Sequence, residues 1–95
     1  MPLTIDDRVH VSEQVVYRTI EGEAVLLHLE RGLYFGLDPI GTRVWETLVQ
    51  HGCARPALGP LAAEFDVTGE TLTSDVTRLL AELVDSGLIQ PGAPR

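Results

Sequence analysis

Few residues in this sequence could carry out catalysis or hold a metal ion, and they are scattered along it. The three histidines are His10, His28 and His51, and the single cysteine, Cys53, lies two residues after the last of them. A zinc ion needs three or four converging ligands, and a cysteine nucleophile needs a base and an electropositive setting. No two histidines are four residues apart, as a pair of ligands on one helix would be. We therefore expect no metal site, a partly buried loop thiol at Cys53, and a half-exposed His28 on the outer face of a strand.

The carboxylates and glycines form no catalytic or phosphate-binding pattern either. Asp6 and Asp7 belong to a charged N-terminal segment, and Glu21 and Glu23 flank a turn. Both pairs are typical of solvated surface rather than of acid–base catalysis. The sequence has neither a P-loop motif nor the glycine motif of dinucleotide-binding folds. We expect a binding protein with no catalytic residues and no cofactor.

The charge and composition restrict the class of partner. The 95-residue chain has a net charge of −7, and all seven of its basic residues are arginines. Such a chain is a poor ligand for nucleic acids or anionic membranes, because both interactions need basic residues to neutralise phosphates. One cysteine excludes an intrachain disulfide, the N-terminus lacks a signal-peptide layout, and no apolar run approaches the about 20 residues of a membrane span. We expect a single cytoplasmic domain over residues 1–95, with its core at about 14–89, and neutral or basic partners.

Three short segments have the pattern of β-strands. Residues 14–20 alternate and are rich in β-branched side chains, residues 24–30 are apolar on both faces, and residues 33–37 read LYFGL. Glycine-containing turns separate them, which predicts an antiparallel meander after an irregular segment over residues 1–13. Helical patterns follow, so the third strand is predicted to lie at an edge of the sheet. Its lack of charge and proline leaves that edge undefended against pairing with another strand.

The period of the apolar residues then changes to that of helices. Asp38 has the position of an N-cap, with a proline after it, and Gly52 ends the first helix. A shorter helix is predicted over residues 56–65 and a third over residues 71–86, followed by a brief strand over residues 88–90 and a loose tail. This order predicts an α+β fold of winged helix-turn-helix type, with an N-terminal three-stranded antiparallel sheet packed on three helices.

DNA binding is one function that this outline suggests. The recognition helix would be residues 71–86, which carry Asp75, Glu82 and Asp85 against the single arginine Arg78. A helix this acidic is repelled by the phosphates that line a DNA groove. A winged-helix DNA-binding regulator therefore stays an alternative that the charge disfavours.

The open edge suggests two other functions. A peptide can add to such an edge as a further strand, held by main-chain hydrogen bonds. Gly36 fits this interpretation, because a glycine within a strand often marks the close approach of another backbone. It could equally ease the bend before Asp38. The edge could instead pair with its own copy in a homodimer that forms without peptide.

Three segments of the sequence together resemble a known family. They are the hairpin that ends GLYFGLD, the helix sequence IGTRVWETL and the closing sequence LLAELVDSGLI, in this order between Val15 and Ile89. The chain resembles the PqqD-like family, which is named for the peptide chaperone of pyrroloquinoline quinone biosynthesis and is also called the RiPP recognition element. This resemblance implies three strands packed on three helices. It also implies a non-catalytic protein that binds the leader segment of a ribosomally made precursor peptide.

Carried onto this chain, the resemblance implies that the leader adds beside the third strand, in a groove walled by the third helix. The implied peptide-binding residues are Leu33, Tyr34, Phe35, Gly36, Leu37, Asp75, Val76, Arg78, Leu79, Glu82 and Leu83. Within the family, YFGLD followed by GTRVWE is most similar to the stand-alone leader-binding proteins of lasso-peptide clusters. The implied partners are then a precursor leader peptide, a transglutaminase-like leader peptidase and, less directly, the macrocyclase. A chaperone for pyrroloquinoline quinone biosynthesis and a recognition module for another radical-enzyme system are the alternatives.

Overall fold

The predicted α+β fold, with a three-stranded antiparallel sheet and three helices, is confirmed. The computed structural model describes residues 3 to 92. Its elements are β1 (Val9–Val11), β2 (Val15–Ile20), β3 (Glu23–His28), β4 (Leu33–Gly36), α1 (Pro39–His51), α2 (Arg55–Phe65), α3 (Gly69–Asp85) and β5 (Ile89–Pro91).

The main sheet has the strand order β2-β3-β4, so the prediction that the third strand lies at an edge is correct. Glu21 and Gly22 both have positive φ and form a two-residue turn between β2 and β3, whose twist suits a hairpin. Across the other hairpin, Leu26 pairs with Phe35 and Leu27 with Tyr34. Among the described residues, β4 has no strand partner on its other side.

A second, two-stranded sheet corrects the prediction that residues 1–13 are irregular. β1 pairs antiparallel with β5, with Val9 opposite Pro91 and Val11 opposite Ile89. A three-residue strand is too short to show a period, and its partner lies at the other end of the chain, so no local pattern reveals the pair. The predicted terminal strand is present, shifted by one residue to Ile89–Pro91. The end of the predicted loose tail, residues 93–95, lies outside the described residues, as do residues 1 and 2.

An ion pair also ties the N-terminal segment to α2. The Arg55 guanidinium donates to both carboxylate oxygens of Asp6, with N–O distances of 2.8 and 2.7 Å. These hydrogen bonds hold the pKa of Asp6 below its usual value. The stabilisation is therefore present above the ordinary pKa of an aspartate and is lost as the pH falls through the lowered one. Both side chains are exposed, so the contribution is small.

The helices cover one face of the sheet. Ala24, Leu26 and His28 alternate along β3 and are all buried on this face, where Trp45 of α1 lies in edge contact with the ring of Tyr17, at a centroid distance of 5.6 Å. The prediction that His28 is a half-exposed residue of the outer face is therefore wrong, since its side chain is 5% exposed. Burial is tolerated because the His28 ring nitrogen Nδ1 accepts a hydrogen bond from the backbone N–H of Arg31, at 3.1 Å.

The opposite face of the sheet is apolar and open. Val16, Ile20, Val25 and Tyr34 are all exposed there, between 40% and 74% of their surfaces. The register places Val25 beside Gly36 and Arg18, so this face extends across all three strands to the edge at β4.

A buried threonine joins α1 to the end of the β3–β4 ladder. The backbone N–H of Ala24 donates to Thr42 Oγ1 at 2.8 Å, and this hydroxyl donates to the Leu37 carbonyl at 3.5 Å. The Leu37 N–H in turn donates to the Ala24 carbonyl at 2.8 Å. Two residues in such a position of an antiparallel ladder normally exchange two direct hydrogen bonds, each donating its N–H to the carbonyl of the other. The Thr42 hydroxyl takes the place of one of them, at the point where the chain leaves β4 and begins α1.

This link can be tested by replacing the hydroxyl with a methyl group of similar size. We expect Thr42→Val to lower the free energy of unfolding by about 1–3 kcal/mol, because the buried Ala24 N–H loses its acceptor. Thr47→Val is the matched control on the same helix. Its hydroxyl donates only to the Arg43 carbonyl, one turn back, so its loss leaves no unpaired donor and should change stability by about 0.5 kcal/mol or less. Equal losses for the two variants in urea unfolding would contradict this role of Thr42.

Candidate functional site

A groove of about 480 Å³ lies beside the free edge of β4. Three elements form it: the end of β4 with the residues that follow it, the first two turns of α1, and the middle of α3. Its volume falls in the range of ordinary ligand clefts, about 300–1,000 Å³. A groove that adjoins an unpaired strand combines an apolar surface with free main-chain hydrogen-bonding groups.

The groove is layered from an apolar base to a charged rim. Buried residues form the base, half-buried apolar side chains form the walls, and exposed residues form the rim. The base consists of Leu37, Gly41, Val44 and Val76, the walls of Phe35, Ile40 and Leu79, and the rim of Gly36, Asp38, Asp75, Arg78 and Glu82. A ligand would therefore meet charge at the surface and apolar contacts inside.

The main-chain groups on the free edge can be assigned from the register. Leu37 donates its N–H to Ala24 on β3, and these directions alternate along a strand. Phe35, opposite Leu26, therefore also faces β3 with its N–H and C=O groups. The N–H and C=O groups of Tyr34 and Gly36 point the other way, towards the open side. Four main-chain groups are thus available to a further strand.

Gly36 is not required by the protein's own fold. Its φ lies outside the left-handed region, and a Cβ added to it would meet no atom within 4 Å. An alanine would therefore fit at this position.

The helical wall is held by the face of α3 that is turned to the core. Thr68 caps the helix by accepting a hydrogen bond from the Thr71 N–H, which is why α3 begins at Gly69 rather than at residue 71 as predicted. Leu72, Val76 and Leu80 are each 1% exposed and anchor the helix. At the C-terminal end of α3, the Arg31 guanidinium packs against Gly87. A Cβ added at Gly87 would lie 3.1 Å from Arg31 Cζ. Arg31 precedes β4 and Gly87 follows α3, so this contact places the start of β4 near the end of α3. The strand and the helix therefore run antiparallel along the groove.

Carboxylates dominate the charge of the rim. Asp38 accepts a hydrogen bond from the Gly41 N–H at 2.7 Å and caps α1, as predicted. Asp75 and Arg78 lie 3.8 Å apart and are both exposed, which makes their ion pair weak. Among the described residues, Glu82 has no ion-pair partner. Three carboxylates therefore share the rim with one guanidinium.

The structure brings most of the predicted site residues together. Eight of them line the groove: Phe35, Gly36, Leu37, Asp75, Val76, Arg78, Leu79 and Glu82. Three do not. Leu33 and Tyr34 belong to β4 but are exposed outside the groove, and Leu83 is fully buried in the core. Leu83 follows Val76 by two helical turns and Leu80 by three residues, so it shares their core-facing side.

Sequence reasoning missed the contribution of α1. Ile40, Gly41 and Val44 line the groove, and Asp38, predicted only as a cap, lies on its rim. A signal was available, because Ile40 and Val44 are four residues apart on the first turns of a helix that directly follows the edge strand.

The other residues considered for chemistry lie elsewhere. His10 belongs to β1 and lies opposite Gln90 of β5, and its ring nitrogens are 3.0 Å from Gly92 O and from Gln90 Oε1. Cys53 is partly exposed in the loop after α1. Within residues 3 to 92, no three histidine, cysteine, aspartate or glutamate side chains come close enough to hold a metal ion. No helix in that part of the chain is long and apolar enough to cross a bilayer.

Comparison with known proteins gives two matches. The family model described as coenzyme PQQ synthesis protein D (PqqD) matches residues 23–89. The solved structure of TbiB1 in complex with the TbiA(beta) leader peptide is similar to this chain at 35% sequence identity and a TM-score of 0.77. The match covers 90% of this chain and 99% of TbiB1. No curated protein sequence matches.

Two neighbouring leucines of α3 face different surroundings, one the groove and the other the core. Leu79 is half-buried in the groove wall, whereas Leu80 is 1% exposed. We expect Leu80→Ala to lower the free energy of unfolding by about 2–5 kcal/mol, because it leaves a cavity in the core. Leu79→Gln should change it by about 1 kcal/mol or less, since glutamine suits a helix and can reach water. Similar losses in urea unfolding would mean that α3 is rotated from this arrangement.

Proposed function

This chain belongs to the PqqD family, and we propose that it is a non-catalytic protein that binds the leader segment of a ribosomally synthesised precursor peptide. The leader adds as a strand beside β4 and directs alternate side chains into the groove against α3. One observation carries the proposal: the main-chain groups of Tyr34 and Gly36 are open to a further strand, directly beside an apolar groove. The likeness to TbiB1, solved with a leader peptide, supports it.

The expected interactions are strong enough for specific binding. Four main-chain hydrogen bonds to β4, at about 0.5–1.5 kcal/mol each, contribute a few kcal/mol. Two apolar anchors in the groove add about 1.5–3 kcal/mol each. Ordering a flexible leader opposes part of this gain. The favourable terms reach at most about 12 kcal/mol, so after this cost we expect a binding free energy of about −8 kcal/mol, which corresponds to a micromolar dissociation constant.

We assign the protein to lasso-peptide biosynthesis, where it presents the leader to a separate transglutaminase-like leader peptidase and to the macrocyclase. The sequences YFGLD and GTRVWE support this assignment. A peptide chaperone for pyrroloquinoline quinone biosynthesis is the second candidate, favoured by the description of the matching family. Binding measured against both types of precursor leader distinguishes them, since the groove should bind its own leader more tightly.

Proline substitutions on β4 test strand addition. Proline removes an N–H group and fixes φ. We expect Gly36→Pro to stay folded, because this N–H faces the open side, but to bind a labelled leader more than about tenfold more weakly. Phe35→Pro removes a hydrogen bond to β3 and should damage the sheet. Circular dichroism reports folding, and fluorescence polarisation reports binding.

Two further variants complete this test. Gly36→Ala keeps the N–H, and its Cβ meets no atom of the protein within 4 Å, so it should bind leader as the wild type does. Leu79→Gln should weaken binding about tenfold or more, through the loss of an apolar anchor. A folded Gly36→Pro protein with wild-type affinity would rule out strand addition at β4.

The non-catalytic role gives a separate prediction. The purified protein alone should leave a precursor peptide intact, because the groove offers only binding surfaces. Cleavage should need the leader peptidase and should slow in the Gly36→Pro variant, because this variant binds the leader more weakly. Mass spectrometry of the reaction products measures both. Leader cleavage by the purified protein without a peptidase would contradict this role.

A further inference from the structure

The acidic rim of the groove plays no part in strand addition as such. Main-chain bonds to β4 and apolar contacts at the base of the groove are the same whatever the charge of the peptide. Asp38, Asp75 and Glu82 nevertheless lie on the rim, with Arg78 as the one basic residue. The rim therefore adds an interaction whose sign depends on the sequence of the peptide.

The three rim carboxylates differ in how far the protein itself compensates their charge. Asp38 caps α1 through the Gly41 N–H, at the positive end of the helix dipole. Asp75 has Arg78 at 3.8 Å. The Glu82 side chain is exposed and has neither an ion pair nor a hydrogen bond with any residue from 3 to 92. Glu82 is thus the rim carboxylate most available to a ligand.

Glu82 also lies where a bound strand can reach it. It follows Leu79 by three residues, so the two side chains are neighbours on the same stripe of α3. Side chains of a strand alternate between its two faces, so every second residue of the leader faces the groove. A leader with an apolar side chain against Leu79 therefore brings an adjacent groove-facing residue close to Glu82.

We propose that the groove selects leader segments that carry a lysine or arginine on the groove-facing side, next to an apolar anchor, and that Glu82 recognises this cation. The proposal rests on the proposed function and adds the chemical class of its peptide. Acidic leaders are rejected by repulsion from the rim, which separates one precursor from another without any change in the apolar contacts. The net charge of −7 also attracts a cationic leader at long range.

The experiment selects peptides and then exchanges charges. Random peptides of about 12 residues, longer than a typical strand, are selected by mRNA display on the purified full chain. Peptides that no longer bind the Gly36→Pro variant are kept, because they use the β4 edge. We expect an enriched lysine or arginine at a fixed spacing from an apolar residue. Selection on Glu82→Lys protein should enrich aspartate or glutamate at that same position.

The interaction between the peptide's lysine and Glu82 is then measured by fluorescence polarisation with one selected peptide. Replacing its lysine with glutamine should weaken binding about two- to fivefold, the range of an exposed ion pair. Replacing the lysine with glutamate should weaken binding further, and Glu82→Lys protein should restore the affinity of this glutamate peptide. Glu82→Gln should weaken binding of the lysine peptide by a similar factor. Glu46→Gln is its control, since it removes the same charge from an exposed position on α1 outside the groove. It should leave the affinity unchanged, and the effect at Glu82 should shrink as salt rises from about 50 to about 500 mM.

The outcomes separate this inference from the proposed function. Selected peptides that depend on Gly36 but show no basic preference, or the same preference on Glu82→Lys protein, would overturn the role of Glu82 and leave leader binding intact. A library that yields no peptide sensitive to Gly36→Pro would overturn both. Equal effects of Glu46→Gln and Glu82→Gln on the affinity would mean that the preference follows the net charge of the protein. This outcome would contradict recognition of the cation by Glu82.

Discussion

The arrangement of the groove depends on the hydroxyl of Thr42. It lies within the last hydrogen-bonded pair of the β3–β4 ladder, where it accepts from Ala24 and donates to Leu37. These two hydrogen bonds connect the end of the β3–β4 ladder to the first turn of α1. Both β4 and the start of α1 line the groove. The position of the free edge relative to the groove therefore rests on one buried polar side chain rather than on apolar packing alone.

Core and groove are made by adjacent faces of the same elements. Leu80 and Leu83 turn α3 towards the core, and Leu79 and Glu82 turn towards the groove. On β4, the main-chain groups of Phe35 complete the sheet, and those of Gly36 remain available. Stability and binding thus use adjacent residues that face different ways.

The residues of the groove divide its work between affinity and selectivity. Main-chain groups on β4 can bond to any peptide, because every residue except proline supplies the same donor and acceptor. The apolar base accepts side chains by size. In the selectivity that we propose, charge on the rim distinguishes peptides with similar apolar patterns.

Local sequence patterns predicted the helices, the three-stranded meander and its open edge, because caps, turns and periods act over a few residues. The family was indicated instead by the resemblance of three sequence segments. The resemblance also implied eight residues that the structure places in the lining of the groove. Only the tertiary structure decided the pairing of β1 with β5, the burial of His28 and Leu83, and the part of α1 in the groove. Those features depend on which face of each element meets the core. That choice is made by contacts between residues far apart in the chain. A local pattern such as the spacing of Ile40 and Val44 can indicate a shared face, but not which element that face meets.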